Sequence, residues 1–101
     1  MDIRFEHTFV VRYRGLRLIP SRTAARELLA HGLSAHDCRD VLEEGYAPRK
    51  RRSGTIERWL DVGEKTYNVV VVRVYNHAYR EEIWLITHTG IFGRKKWLRK
   101  S

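Results

Sequence analysis

The sequence predicts an α+β fold: a small antiparallel β-sheet, made of an N-terminal hairpin plus three core strands, with a two-helix hairpin packed on one face. Between Thr55 and Thr89, three runs rich in β-branched and aromatic residues are separated by short polar connections. Before them, residues 21–45 carry two apolar stripes at helical spacing. With 101 residues, the chain suits a single domain over 1–101, with one modest core.

The N-terminal hairpin is predicted over residues 3–19. Apolar residues recur at near-alternate positions before Arg14-Gly15 and resume after it, which is typical of two short strands. Because glycine adopts the backbone angles of tight hairpin turns, this dipeptide is the expected turn.

The two helices are predicted from their end signals. Ser21 is an N-cap residue and Gly32 a left-handed C-terminal residue for the first helix. Ser34 and Asp37 form a capping box for the second, which Gly45 ends. The apolar stripe of the first helix consists of Ala24, Ala25, Leu28 and Leu29. Because helices this short are not stable alone, both must pack on the sheet.

The three-stranded core is predicted over residues 55–89, with four consecutive valines, Val69 to Val72, in its middle strand. If the valines of even number meet the helices, Arg73 and Tyr75 lie on the open face. The buried face of residues 83–89 stays undecided, because apolar residues occupy both sets of alternate positions.

Charge is the strongest compositional signal. Twenty Lys and Arg against twelve Asp and Glu give a net charge of +8 and a pI near 10.2. In so small a domain this favours a polyanionic partner, with RNA or another nucleic acid the commonest kind. The alternative is a basic surface without a partner. Abundant Arg and Glu with no Gln also suggest a thermophilic source.

Nucleic-acid-binding candidates come from two clustered basic runs, in the loop before Thr55 and in the tail, 94–101. They are Arg49, Lys50, Arg51 and Arg52, and Arg94, Lys95, Lys96 and Trp97. Cations release counterions from phosphates, and an aromatic among them stacks on a base. The alternatives are a solvated loop and a tryptophan that docks as a last core patch.

Several classes of protein are disfavoured by what the sequence lacks. It shows no apolar run long enough for a membrane span and no secretory signal, so a cytoplasmic location is expected. One cysteine excludes an internal disulfide. No metal-ligand spacing and no glycine-rich phosphate loop appears, so neither a metal nor a cofactor is expected.

Candidate catalytic residues lie on the core strands. Arg58 shares the alternation of Ile56 and Leu60, and an arginine in line with an apolar face is costly unless it is paired or meets an anion. Arg73 and Tyr75 would hold phosphate and stack a base or move a proton, unless they form an ordinary exposed cross-strand pair.

Histidines supply the candidates for proton transfer. Of the five histidines, His77 and His88 end adjacent core strands, so they are better placed than the others. The alternative is that each has a structural role at its strand end.

Four motifs occur in a fixed order: His31-Gly32-Leu33-Ser34, Glu57-Arg58, Val69 to Tyr75, and Leu85-Ile86-Thr87-His88. Over roughly residues 20–92 this order resembles the BrnT-type toxins and their relatives of unassigned function, within the RelE-like family of small ribonuclease toxins. The resemblance implies helices on one face of an antiparallel sheet, metal-independent RNA cleavage and an antitoxin partner. Arg58 matches the family's strand arginine. Thr87-His88-Thr89 replaces the family's Ser-Ala-Arg, so a second arginine is missing.

The first functional hypothesis is therefore an endoribonuclease-like toxin. His88 or His77, assisted by Tyr75, would transfer protons, while Arg58 and Arg73 would stabilise charge on the phosphate. The alternatives are a non-catalytic basic module that binds nucleic acid, or an inactive toxin homologue. A third is a protein-interaction domain with an acidic, antitoxin-like partner.

Overall fold

The structure is a computed structural model that describes residues 10–93. Its elements are β1 (Arg12–Tyr13), β2 (Leu16–Pro20), α1 (Arg22–His31), α2 (Ala35–Glu44), β3 (Thr55–Val62), β4 (Lys65–Asn76) and β5 (Glu81–Gly93). The strands form one sheet in the order β1-β2-β5-β4-β3. Neighbours are antiparallel except β2 and β5, which are parallel. The predicted α+β class is confirmed.

The β1–β2 hairpin turns at the predicted dipeptide. Arg14 and Gly15 both have positive φ, 51° and 83°, and Tyr13 pairs with Leu16 across them. Two left-handed residues between paired strands are the geometry of the tight turns that match strand twist. The predicted part of the hairpin at residues 3–9 lies outside the described residues.

Both helices begin and end at the predicted residues. The Ala24 N–H donates to the Ser21 hydroxyl at 3.1 Å, and Gly32 is left-handed with φ 68°. The Asp37 carboxylate accepts from the Ser34 backbone N–H at 2.8 Å. The apolar stripe of α1 is narrower than predicted, because Leu29 is 83% exposed while Leu28 is buried. Within residues 10–93, no helix is long and apolar enough to cross a membrane.

The core lies between the helices and one side of the sheet, the helix face. Its members are Val11, Tyr13, Leu18, Ala24, Leu28, Cys38, Val41, Leu42, Ile56, Val69, Val71, Trp84 and Ile86. Val71 and Ile86 pair across β4 and β5, and both are fully buried. Burial of such a side chain contributes roughly 1.5–3 kcal/mol.

Strand β4 turns its odd-numbered valines toward the helices, and not the even-numbered valines that the sequence section considered. Val69 and Val71 pack under the helices, so the even-numbered valines lie on the opposite side, the second face. By the same alternation, Arg73 and Tyr75 belong to the helix face. The second face is also not bare throughout, since Val70 and Ile83 are buried there.

Candidate nucleic-acid interface

One end of the second face carries an aromatic cluster, Tyr46, Trp59 and Phe92. The rings of Trp59 and Phe92 meet edge to face, with centroids 5.1 Å apart, and Tyr46 meets Trp59 in the same manner at 6.4 Å. Tyr46 is 47% exposed, and the other two are half-buried. These rings present π-surface beside a basic loop, which is the combination that single-stranded nucleic acid stacks on.

Strand pairing explains why these rings meet. Trp59 and Asn68 pair across β3 and β4, and Asn68 pairs in turn with Gly90 on β5. Phe92 lies two residues beyond Gly90, hence on the same face. Tyr46 joins from the loop, because its backbone N–H and carbonyl both bond to Trp59, each at 2.8 Å.

Gly45 permits this close approach of the loop to β3. A Cβ atom at Gly45 would lie 2.4 Å from the Trp59 carbonyl oxygen, well inside van der Waals contact. The C-terminal end of α2 therefore abuts the edge strand directly. In consequence the loop from Tyr46 to Gly54 starts on the rim of the second face.

Glu57 fastens the basic loop to the sheet. Its carboxylate is 4% exposed and accepts from Arg51 Nε at 2.9 Å and from Trp59 Nε1 at 3.1 Å, with Arg49 Nε at 3.4 Å. Burial alone would raise the pKa of the Glu57 carboxyl. The hydrogen bonds from Arg51 and Trp59 and the charges of Arg51 and Arg49 outweigh burial and lower this pKa.

The basic loop, residues 49–52, thereby acquires a defined arrangement. Arg49 and Arg51 point at Glu57, and the Arg49 guanidinium carbon lies 5.9 Å from the centre of the Trp59 ring. Lys50 and Arg52 are exposed. All four predicted loop cations are thus exposed, and two of them, Arg49 and Arg51, also hold the loop against Glu57.

His88 extends the site along the second face, and the Asn68 amide oxygen is buried beside it. A Cβ at Gly90 would lie 2.7 Å from Asn68 Oδ1 and 3.6 Å from His88 Nε2, so both side chains lean over this glycine. His88 Nδ1 lies 3.4 Å from Glu27 Oε2 on α1, and the other Glu27 oxygen accepts from the Thr89 N–H at 2.9 Å. Glu27 therefore orients the imidazole from the edge of β5.

The other predicted catalytic residues lie elsewhere. Arg58 is on the helix face of β3, and its guanidinium donates to the Glu57 carbonyl oxygen at 2.8 Å. Arg73 is paired with Glu82 at 2.6 Å, and Tyr75 contacts the His77 ring at the far end of β4.

Strand register measures how far apart these candidates are. Tyr75 pairs with Glu82, six residues before His88 on β5, which corresponds to about 20 Å along the strand. Arg58 and His88 belong to opposite faces. Of the predicted catalytic set, the structure brings together Tyr75 and His77, and it places His88 on the same face as the aromatic cluster, about 12 Å from Trp59.

The predicted binding residues of the tail are not part of the described site. Arg94, Lys95, Lys96 and Trp97 lie outside the described residues.

In the described range 10–93, no three His, Cys, Asp or Glu side chains are grouped so as to hold a metal ion. The thiol of Cys38 is on the buried side of α2, and burial, followed by the neighbouring Asp37 charge, raises its pKa to about 12. It is therefore a protonated packing residue at neutral pH.

Sequence reasoning missed the aromatic cluster. The available signal was the alternation of β3, in which Trp59 shares its parity with Glu57 and Asp61 and not with Ile56. By this alternation Trp59 belongs to the polar side of the strand, between two carboxylates, and not to the side of the core. Phe92 gave no such signal, because Gly90 and Gly93 around it suggested the end of the strand.

Comparisons with known proteins gave no match to a family model, a curated protein or a solved structure. The resemblance to BrnT-type toxins therefore stays a prediction from the order of the motifs.

Proposed function

We propose that this chain binds single-stranded RNA through the aromatic cluster and the basic loop. The observation that carries the proposal is the fixed position of Trp59. Its indole N–H donates to Glu57, the rings of Phe92 and Tyr46 meet it edge to face, and Arg49 lies over it. Because the ring is already fixed, stacking of a base on it costs the protein little conformational entropy.

Phosphate contacts would come from the members of the same loop that Glu57 does not hold. Lys50 and Arg52 alternate along the loop with the two arginines that Glu57 holds, so they stand next to the stacking surface. Stacking on Trp59 and charge from this loop are complementary, since one recognises bases and the other the backbone. Both act without regard to sequence, so little base specificity is expected.

Binding is tested by fluorescence anisotropy of a labelled single-stranded RNA. Trp59→Ala should weaken binding about tenfold, because base–aromatic stacking contributes about 1–3 kcal/mol. Trp59→Phe keeps a ring and should lose less. Leu29→Ala, an 83% exposed position on α1, serves as control and should bind as the wild type does.

Thermal melting of each variant separates lost contact from lost folding. If Trp59→Ala melts cooperatively and binds RNA as tightly as the wild type, the stacking site is wrong. If the wild type itself does not bind, the proposed function is wrong.

RNA cleavage at His88 is the second candidate, favoured by one observation. Glu27 orients the His88 ring through Nδ1, which leaves Nε2 directed over Gly90 on the second face. His88 lies two residues along β5 and two strands across from Trp59, or about 12 Å away. A bound strand would pass within reach of this imidazole.

The reaction would be transfer within the RNA strand. His88 Nε2 would take the proton of a 2′-hydroxyl, whose oxygen attacks the adjacent phosphorus and expels the 5′-oxygen, which takes a proton from solvent water. The products are a 2′,3′-cyclic phosphate and a free 5′-hydroxyl. Neutral His88 is the form that can act as the base.

Cleavage is tested by incubating end-labelled RNA with the protein in a metal chelator. His88→Ala should abolish shortening and retain binding, while Arg58→Ala tests the residue that the family resemblance implies. RNA that stays full-length with the wild type contradicts this second candidate and leaves binding as the function.

A further inference from the structure

The tip of the β4–β5 hairpin holds a second arginine–aromatic pair. The guanidinium carbon of Arg17, on β2, lies 4.3 Å from the centre of the Tyr79 ring. Tyr79 is nevertheless 50% exposed, so one side of the pair stays accessible. This arrangement repeats that of Arg49 over Trp59 at the opposite end of the sheet.

Tyr79 is held in place by its neighbours. Its backbone N–H donates to Asn76 Oδ1 at 2.9 Å, which fixes the turn. Arg17 Nε donates to Glu81 at 2.8 Å, which fixes the guanidinium against the ring. The exposed Tyr79 ring is thus fixed by its backbone hydrogen bond and by the guanidinium on its face. A base that stacks on such a ring costs the protein little conformational entropy.

Both pairs belong to the second face. Leu18 and Trp84 are in the core under the helices, so Arg17 and Glu81 point the other way by strand alternation. The Tyr79 ring lies against the Arg17 guanidinium, so it is on the same side. Tyr75 is equally exposed at the same end of β4, but it has the parity of the helix face.

The distance between the two pairs follows from the register. Asn68 stands beside Trp59 and Asn76 beside the turn, eight residues apart on β4, or about 26 Å. Trp59 on β3 and Arg17 on β2 are also three strands apart, or about 14 Å, so the two pairs are about 30 Å apart. A stacked strand rises about 3.4 Å per nucleotide, so about nine nucleotides cover this distance. That length lies within the usual site sizes of about 4–16 nucleotides.

We infer that Tyr79 and Arg17 form a second stacking site, so that one nucleic-acid strand is bound at both ends of the second face and passes over its covered middle, where Val70 and Ile83 are buried. This inference rests on the proposed function. Glu81 repels phosphate next to Tyr79, so the contribution of this end is stacking and not charge. Affinity should therefore rise with strand length until both ends are occupied.

The test compares two single-stranded RNAs of about 4 and about 16 nucleotides, which bracket the usual site size. Tyr79→Ala should weaken binding of the longer RNA about tenfold and leave the shorter one, held at Trp59, unchanged. Trp59→Ala should weaken both. The dependence on salt should be the same in Tyr79→Ala and the wild type, because no phosphate contact is removed.

Leu29→Ala is again the control, and a cooperative melt of Tyr79→Ala shows that the fold is kept. Equal affinity of Tyr79→Ala and wild type for the longer RNA overturns this inference and leaves the proposed function standing. Equal loss for both lengths also overturns it, since Tyr79 would then not be a separate site. If neither RNA binds the wild type, the proposed function fails and this inference with it.

Discussion

Glu57 is the residue on which the proposed interface depends most. Its buried carboxylate has three N–H groups directed at it, from two loop arginines and from Trp59. A buried carboxylate is stable only when its lost hydration is replaced in this way. The consequence is that one side chain positions both the ring proposed to stack and the loop that carries charge.

Glu57→Gln should lower the free energy of unfolding at pH 7 by about 1–3 kcal/mol, because the neutral amide replaces charge-assisted hydrogen bonds. The lowered pKa of Glu57 means that its stabilisation is present above its unfolded pKa, about 4.3, and is lost as pH falls through the folded value. The difference between variant and wild type should therefore shrink in acid. Urea denaturation at pH 7 and near pH 3 measures it.

Glu43→Gln on α2, where the carboxyl is exposed, is the matched control and should change stability by less than about 0.5 kcal/mol. A Glu57→Gln penalty that stays constant from neutral to acid pH would contradict the role of the carboxylate charge.

At the scale of elements, the junction between α2 and β3 has no spare room. Gly45 ends the helix, and the Tyr46 backbone immediately pairs with Trp59 on the edge of the sheet. The bridge satisfies the backbone groups of Trp59 on the outer edge of β3, and Arg58 bonds to the neighbouring Glu57 carbonyl. An edge strand occupied in this way is a poor template for pairing with another chain.

Gly45→Ala should destabilise the protein by about 1–3 kcal/mol, because a Cβ at this position collides with the backbone of β3. It should also weaken RNA binding, since Tyr46 would shift away from Trp59. Thermal unfolding and RNA anisotropy are the two measurements.

Gly93→Ala provides the control within the sheet. A Cβ there meets nothing within 4 Å, so stability should change by less than about 0.5 kcal/mol. Equal stability of Gly45→Ala and Gly93→Ala would mean that the α2–β3 junction tolerates displacement.

The elements were predictable where a local signal determines them. Thr55–Val62 forms one strand as predicted, and the ends of both helices follow from Ser21, Gly32 and the Ser34–Asp37 box. The facing of β4 was not predictable, because four consecutive valines supply an equally apolar surface on both sides. Only contacts distant in sequence, with Ile56 and Ile86, select the odd-numbered valines for the core.

An irregularity in the pairing of β4 and β5 likewise made the orientation of His88 unpredictable from the sequence. The pairing of β4 and β5 shifts between Val70 and Val71, so Ile86 and His88 face consecutive residues across the ladder. Such a bulge moves every later side chain to the other side of the strand. Simple alternation along residues 83–89 therefore could not place His88 on the second face.

At the scale of the whole molecule, positive charge should govern how RNA binding responds to salt. Lys50→Ala and Arg52→Ala should each lower the slope of log affinity against log salt by about 0.7, the value for one phosphate contact on a single strand. Neither side chain contacts Glu57, so the fold should be kept. Anisotropy titrations over a range of salt concentrations provide the slope.

Arg22→Ala on α1, an exposed arginine on the helix side of the molecule, is the control and should leave the slope unchanged. An equal change in the slope for Arg22→Ala and Lys50→Ala would indicate that RNA is attracted by net charge alone, without a defined path along the second face.

The candidate site was less predictable than the fold. Composition and the cation runs indicate a nucleic-acid partner, and the basic loop does lie next to the aromatic cluster. The meeting of Tyr46, Trp59 and Phe92 depends on three separate elements and on the register between β3, β4 and β5. No local pattern in any one of these segments contains that information.

The parallel pairing of β2 with β5 joins Leu18 to Trp84, across most of the described chain. In the sheet β5 lies between β2 and β4, but in the sequence it follows both. During synthesis β5 therefore leaves the ribosome after the strands on either side of it. Until β5 is synthesised, the β1–β2 hairpin and both helices expose their apolar sides to solvent. Such a state is prone to aggregation. Assembly should accordingly be slow for a protein of this size, and its yield in cells should depend on chaperones that shield nascent chains.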